Sequence, residues 1–182
     1  DGSRTVDIGD YTIINAVDYK KDDVRKRVAG HVPATNAEIA CTLSHFKVWK
    51  YFVENSDSDY AIVVEDDFCF DTVKYWDFTW EEYINSIKVD YDMLQFVTFN
   101  LDKSFNPKFH KRTNEDESTA AYLITKSYAK KMLDKYLINE KYHFPKECVA
   151  DHFIYNDGEV YTESLFVVKS DTAMSSDINP QY

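Results

Sequence analysis

Residues 60–70 read Tyr-Ala-Ile-Val-Val-Glu-Asp-Asp-Phe-Cys-Phe, an apolar and partly β-branched run that ends on three consecutive carboxylates. Unbroken apolar runs of this length suit a strand buried on both faces, and such strands occur where helices cover a sheet. The three carboxylates repel one another and are costly to desolvate, so their place between two apolar runs demands compensation. These eleven residues therefore ask for a layered α/β chain with something cationic at one strand end.

The surrounding pattern agrees. Tyr11 to Val17 reads as a short strand. Thr35-Asn36-Ala37-Glu38 has the spacing of a capping box and opens a helix expected to reach about Glu54. On that helix Ile39, Leu43, Phe46, Lys50 and Val53 share one stripe, with the Lys50 stem lying along it. Met93 to Phe99 reads as a second buried strand, with a shorter helix from Tyr75 to Ile87 before it. Thr119 to Ile124 follows as a strand, then a helix from Ser127 to Tyr136, one or two helical turns over Val149 to Tyr155, and a strand from Val160 to Val168. Strands alternating with helices imply an α/β sandwich on a mainly parallel sheet. The polar segment Asp102 to Ser118, broken by Pro107, reads as a lid or a long surface loop.

Composition narrows the function. With 182 residues and 44% hydrophobic content the chain supports one core, so a single domain over residues 1–182 is expected, its first ten residues flexible or expression-derived. A formal net charge of −11 repels phosphate backbones and anionic lipid, which argues against general nucleic-acid binding. Basic residues do bunch, at Lys20, Lys21, Arg25, Lys26 and Arg27 and at Lys108, His110, Lys111 and Arg112; these are solvated faces or, more sharply, a pocket for a phosphate-bearing ligand. The 14 Tyr and 12 Phe suit sugar rings but serve ordinary cores equally well. Cys41, Cys69 and Cys148 form no CxxC pair and no Asn-x-Ser/Thr sequon occurs, which fits a reducing, cytoplasmic compartment. No apolar run approaches the ~20 residues of a membrane span.

If Tyr60 to Val64 is a strand, Glu65, Asp66 and Asp67 lie beyond its carboxyl end, where open α/β sheets bind ligands. Carboxylate oxygens suit Mg²⁺ or Mn²⁺, ions that keep positions open for substrate phosphates. In an extended segment Glu65 and Asp67 face one ligand while Asp66 turns aside. Taken alone, the triplet is equally consistent with an acidic turn.

The ordered set "NAEIACTLSHFKVWKYFVEN", a spacer, and "YAIVVEDDFCF" resembles the family 25 glycosyltransferases, of the lipooligosaccharide and collagen galactosyltransferase type. "INAVDY", "AAYLITKSYAKKML" and "VADHFIY" are similar to further family motifs, so the resemblance runs from about Ile13 to Ile178. It implies a GT-A fold, a nucleotide-sugar donor of the UDP-hexose kind, a glycan or protein hydroxyl as acceptor, a galactosyltransferase-like enzyme, and transfer that inverts the anomeric centre. The Glu-Asp-Asp stretch takes the place of a DxD motif and implies Mn²⁺ or Mg²⁺ on Glu65 and Asp67, with His152 completing the shell. Asp151 is the implied catalytic base, a single carboxylate taking the acceptor's proton; N-capping the turn at His152 is its structural alternative. Asp18, Glu38, Ser44, His45 and Asp66 match positions implied to contact the donor or brace the acidic loop. Asp177, in "SSDIN", is a weaker candidate. Nothing before Tyr11 matches the family's Asn-Leu-x-Arg-Arg strand, so the expected fold lacks the first nucleotide-binding strand. The competing expectations are a non-catalytic glycan- or protein-binding module on the same fold, and a metal-dependent phosphoesterase.

Overall fold

The computed structural model describes residues 11–70, 72–99, 108–146 and 148–168. Asp177, residues 102–107 of the expected lid and the first ten residues lie outside the described residues.

After a 3₁₀ turn at Val24–Arg27, helix α1 runs Asn36–Asn55. Its start is set by the capping box: the Glu38 amide donates to Thr35 Oγ1 at 3.2 Å and the Thr35 amide to Glu38 Oε2 at 2.6 Å. Strand β1 is Tyr60–Val64, β2 Phe68–Cys69, helix α2 Trp80–Ser86, β3 Met93–Gln95, β4 His110–Lys111 and β5 Ala121–Thr125. Helix α3 spans Lys126–Tyr136, β6 and β7 form a hairpin over Leu137–Ile138 and Lys141–Tyr142, α4 is the single turn Ala150–Phe153, and β8 and β9 are Val160–Thr162 and Val167–Val168.

The main sheet has the order β1-β5-β3-β8-β4, a mixed α/β arrangement that corrects the expected mainly parallel sheet. Among the described residues only β3 and β8 pair parallel; β1–β5, β3–β5 and β4–β8 are antiparallel. Alternating helices and strands suggest parallel crossovers between neighbouring strands. Here β5 enters between β1 and β3 and runs against both, an insertion that hydrophobic periodicity does not encode.

The same insertion moves the buried strand. β5 is buried along Ala121–Ile124, whereas β1 lies at the edge and exposes Tyr60 (40%), Ile62 (44%) and Val64 (44%), so it is not covered on both faces as its composition suggests. Residues 11–18 form no strand; Ser44 Oγ accepts from the Val17 amide at 2.9 Å and Lys47 Nζ donates to the Asn15 carbonyl at 2.7 Å, docking this segment on α1. Met93 to Phe99 keeps its ladder only over β3, and Val160 to Val168 splits into β8 and β9.

Two apolar clusters cover the two sheet faces. On one, Ile39, Phe46 and Trp49 of α1 and Met132 of α3 meet Tyr122 and Ile124 of β5. On the other, Tyr83 of α2, Phe96 and Phe166 meet Ala121 and Leu123. The α1 stripe drifts from the expected one: Trp49 and Phe52 are buried, while Lys50 is exposed and lies 3.8 Å from Glu54. The described part of the expected lid is tied down, β4 pairing with β8 and Asp116 fully buried. No helix among the described residues is long and apolar enough to cross a membrane.

Candidate active site

β1 alternates faces, so Glu65 continues the inward row of Ala61 and Val63 and points towards α1. Its amide donates to the Ala120 carbonyl at 2.8 Å, extending the β1–β5 ladder by one step. On α1, Cys41 and His45 are one turn apart and face the same strand end. Compensation for Glu65 therefore comes from the protein itself: His45 Nε2 lies 3.2 Å from Glu65 Oε1, and the Thr119 hydroxyl donates to that oxygen at 2.7 Å. His45 Nδ1 sits 2.9 Å from the Tyr122 hydroxyl, which also accepts from Trp49 Nε1 at 2.9 Å.

These contacts shift the titration of the pair. Burial pushes the Glu65 carboxyl up, but His45 and Thr119 outweigh it and hold Glu65 below its ordinary value. Burial likewise opposes charge on His45, yet Tyr122, Cys41 and Glu65 raise its imidazole well above the usual value. Each shift favours the charged form of its group.

Beyond Glu65 the chain turns, with the Phe68 amide donating to the Glu65 carbonyl at 3.3 Å. Asp66 is exposed in that turn, and the extended segment expected over residues 65–67 is not formed. Asp67 is half-buried, and its Oδ1 is buried without a hydrogen-bond partner among the described residues. Burial, with the charges of Glu65 and Asp66 beside it, raises the Asp67 carboxyl.

Asp151 comes to the same place from α4. The helix's N-cap is Val149, so Asp151 does not cap it. Its Oδ1 lies 3.4 Å from the Thr119 hydroxyl that bonds Glu65. Burial and then the Glu65 charge push the Asp151 carboxyl up. His152, one residue on, keeps Nδ1 buried without a hydrogen-bond partner among the described residues and places Nε2 3.7 Å from Glu117 Oε1.

Behind Asp151 stands Arg112, whose side chain bonds the Asp151 carbonyl. The guanidinium also donates to Gln95 Oε1 and the Asp116 carbonyl, both at 3.1 Å, and stacks 4.3 Å above the Tyr155 ring. Arg112 is therefore an internal strut. The other basic cluster is matched locally, Lys21, Lys26 and Arg27 pairing with Asp18, Asp23 and Asp22.

The sequence-assigned residues thus divide. Glu65, His45 and Asp151 meet around Thr119, with Asp66 and Asp67 in the adjoining turn. Among the described residues, the three ligand-type side chains within a common ion's reach are Cys41, His45 and Glu65; Glu65, Asp67 and His152 are not gathered so closely. Glu38 closes the α1 capping box, Ser44 docks residues 15–18, and Asp18 bonds the Lys20 amide at 2.9 Å and holds Lys21. Sequence reasoning missed Thr119, Trp49, Arg112 and Cys41 as parts of the site. The i, i+4 spacing of Cys41–His45 and His45–Trp49 was the available signal for two of them, Arg112 showed only as part of the basic cluster at residues 108–112, and Thr119 carries none.

Carboxylates from the β1–β2 turn and from α4 thus gather at the end of one strand of an α/β sheet, a place that suits a polar or cationic ligand. Residues 9–154 match the family model described as glycosyltransferase family 25 (LPS biosynthesis protein). The chain belongs to glycosyltransferase family 25, which implies glycosyltransferase activity with a nucleotide-sugar donor and an acceptor. No curated protein and no solved structure matches it.

Proposed function

We infer that this chain is a metal-dependent, inverting hexosyltransferase of GT-A type, taking a sugar from a nucleotide donor of the UDP-hexose kind to a glycan or protein hydroxyl, with galactose as the sugar its family resemblance favours. The observation that carries the reading is the convergence on one hydroxyl: Thr119 Oγ1 lies 2.7 Å from Glu65 and 3.4 Å from Asp151, beside an Asp67 oxygen that is buried and unpartnered.

Inversion takes one displacement. The acceptor oxygen bonds the anomeric carbon as the bond to the leaving diphosphate breaks on the opposite face, and the acceptor's proton passes to Asp151. The raised proton affinity of Asp151 suits that transfer near neutral pH, because an ordinary carboxylate is a weak base there. Arg112 fixes the backbone of Asp151 from behind, while Thr119, its proton given to Glu65, lies 3.4 Å from the Asp151 carboxyl.

The donor set fits a hard divalent ion. Asp67 offers its unpartnered oxygen, and both bonds to Glu65 fall on Oε1. Mg²⁺ and Mn²⁺ sites commonly use one or two carboxylates plus substrate phosphates and water, so Glu65 and Asp67 suffice, with His152 adjacent to Asp151. Bound there, the ion neutralises charge on the leaving diphosphate. Exposed Asp66 and half-buried Asp18 are left to the donor's sugar and nucleoside. Free thiols at Cys41 and Cys148 accord with a reducing, cytoplasmic compartment.

A second reading, a non-catalytic glycan- or protein-binding module, draws on the absence of a strand over residues 11–18. Thermal melting across a panel of nucleoside diphosphates, with and without Mn²⁺, separates the two. A ligand at a hundredfold excess over its Kd stabilises by about 2.7 kcal/mol, a shift of roughly 5–10 °C for a chain this size. The expected result is an Mn²⁺-dependent shift for one base, lost in Asp67→Asn and kept in Asp151→Asn, which loses sugar transfer instead. No shift with any nucleotide on folded protein overturns the donor-dependent transferase and favours the binding module or a chain lacking its nucleotide-binding half.

A further inference from the structure

The Cys41–His45–Glu65 cluster carries chemistry that a Mg²⁺- or Mn²⁺-dependent transfer does not use. One ligand atom from each residue lies within 4.8 Å of the others, and His45 Nε2 and Glu65 Oε1 are 3.2 Å apart. Tetrahedral zinc, with Zn–S near 2.3 Å and Zn–N and Zn–O near 2.0–2.1 Å, spaces its ligand atoms about 3.3–3.6 Å apart. The His45–Glu65 pair is already near that spacing, and the widest separation in the group exceeds it by at most about 1 Å, on the scale of a side-chain rotation.

From this geometry we propose that Cys41 Sγ, His45 Nε2 and the Glu65 carboxylate form a three-ligand site for a thiophilic divalent ion, Zn²⁺ in the first place, with the fourth position open. Sulfur is the deciding ligand. Hard Mg²⁺ has no use for a thiolate, whereas a mixed S, N, O set is ordinary for zinc.

The supports around the three ligands match what such a site needs. The Tyr122 hydroxyl holds His45 Nδ1 at 2.9 Å and is itself held by Trp49, which aims Nε2 at Glu65. Thr119 fixes Glu65 at 2.7 Å. Cys41 and His45, at i and i+4 of a capped helix, need no loop to order them. His45 is buried while Cys41 and Glu65 are half-buried, so an ion reaches the ligands from the acidic side. On binding, the ion replaces the thiol proton of Cys41 and the Nε2 proton of His45, and both go to solvent. Nδ1–H keeps its bond to Tyr122.

Because Glu65 is shared with the proposed hard-ion site, zinc there withdraws it from the donor's metal. The two proposals still fail separately: Mn²⁺-dependent nucleotide binding turns on Asp67, which the thiophilic site does not use.

Titration of the full chain with Co²⁺ under reducing conditions tests the site without any activity assay. A thiolate ligand produces an intense near-ultraviolet charge-transfer band, a tetrahedral ion strong visible bands, and stoichiometric Zn²⁺ displaces both. The expected result is one such site per chain. Cys41→Ser removes the charge-transfer band and weakens Co²⁺ binding ~10-fold or more, Cys148→Ser leaves both unchanged, and Glu65→Gln keeps the band while weakening affinity. Circular dichroism confirms that each variant is folded. Absence of a thiolate band in the wild-type protein at saturating Co²⁺, or its persistence in Cys41→Ser, overturns the proposal.

Discussion

At the residue scale the site is held in unequal protonation states by its surroundings. Glu65 is lowered by His45 and Thr119 despite burial, whereas Asp67, two residues on, is raised by burial and by the charges of Glu65 and Asp66. A folded-state value above the unfolded one means the folded chain binds more protons, so stability falls as pH rises from the ordinary value of 3.8 through the raised value. Asp67→Asn removes that penalty. In metal-free buffer the variant is expected to melt higher than wild type near pH 7, with the gain vanishing near pH 3, where Asp67 is protonated in both states. Equal melting temperatures at both values refute an unpaired Asp67. Stability given up at a ligand site in this way accords with a stability–function trade-off. In the sequence, three adjacent carboxylates announced that something must compensate them. That His45 compensates Glu65 while no described residue hydrogen-bonds Asp67 Oδ1 depended on where α1 passes.

At the element scale, the helices were legible and the strands only partly so. Thr35 and Thr79 each sit three residues before a Glu, and both make complete capping boxes, at α1 and α2, because a cap is settled within four residues of chain. Thr35→Ala is expected to cost about 1 kcal/mol, a fall of roughly 2–4 °C in Tm, because the Glu38 amide loses its acceptor; an unchanged Tm in a thermal scan removes the cap from the account of α1. Strands have no comparable local seal. Tyr11 to Val17 has strand composition, but its neighbours are the Ser44 hydroxyl and the Lys47 ammonium, not another strand. Tyr60 to Val64 does form β1, yet at an edge, because β-branched residues record a fit to a pleated surface and not which side of it is covered.

For the whole molecule, β5 decides cohesion. Tyr122 and Ile124 wall one apolar cluster and Ala121 and Leu123 the other, so neither cluster can open without losing a strand of the other. One cooperative unfolding unit is the expected consequence. The tryptophans report it: Trp49 lies in the first cluster and Trp76 and Trp80 pack on the second. Fluorescence of a Trp49→Phe variant and of a Trp76→Phe/Trp80→Phe variant should each give a denaturant midpoint that coincides with that variant's own far-ultraviolet circular dichroism. Separated midpoints would mean two independently folding units. The sequence alone determined the acidic step at residues 65–67, the capped helices, the apolar runs and the order in which they occur, since each follows from propensity and side-chain period over a few residues. Tertiary structure alone decided that β5 runs antiparallel between β1 and β3, that Thr119 bridges Glu65 and Asp151, and that Cys41 and His45 face Glu65. These pairings join residues from 20 to more than 80 positions apart, and their energy comes from packing and hydrogen bonds across the sheet, for which a linear pattern of apolar and polar residues holds no address.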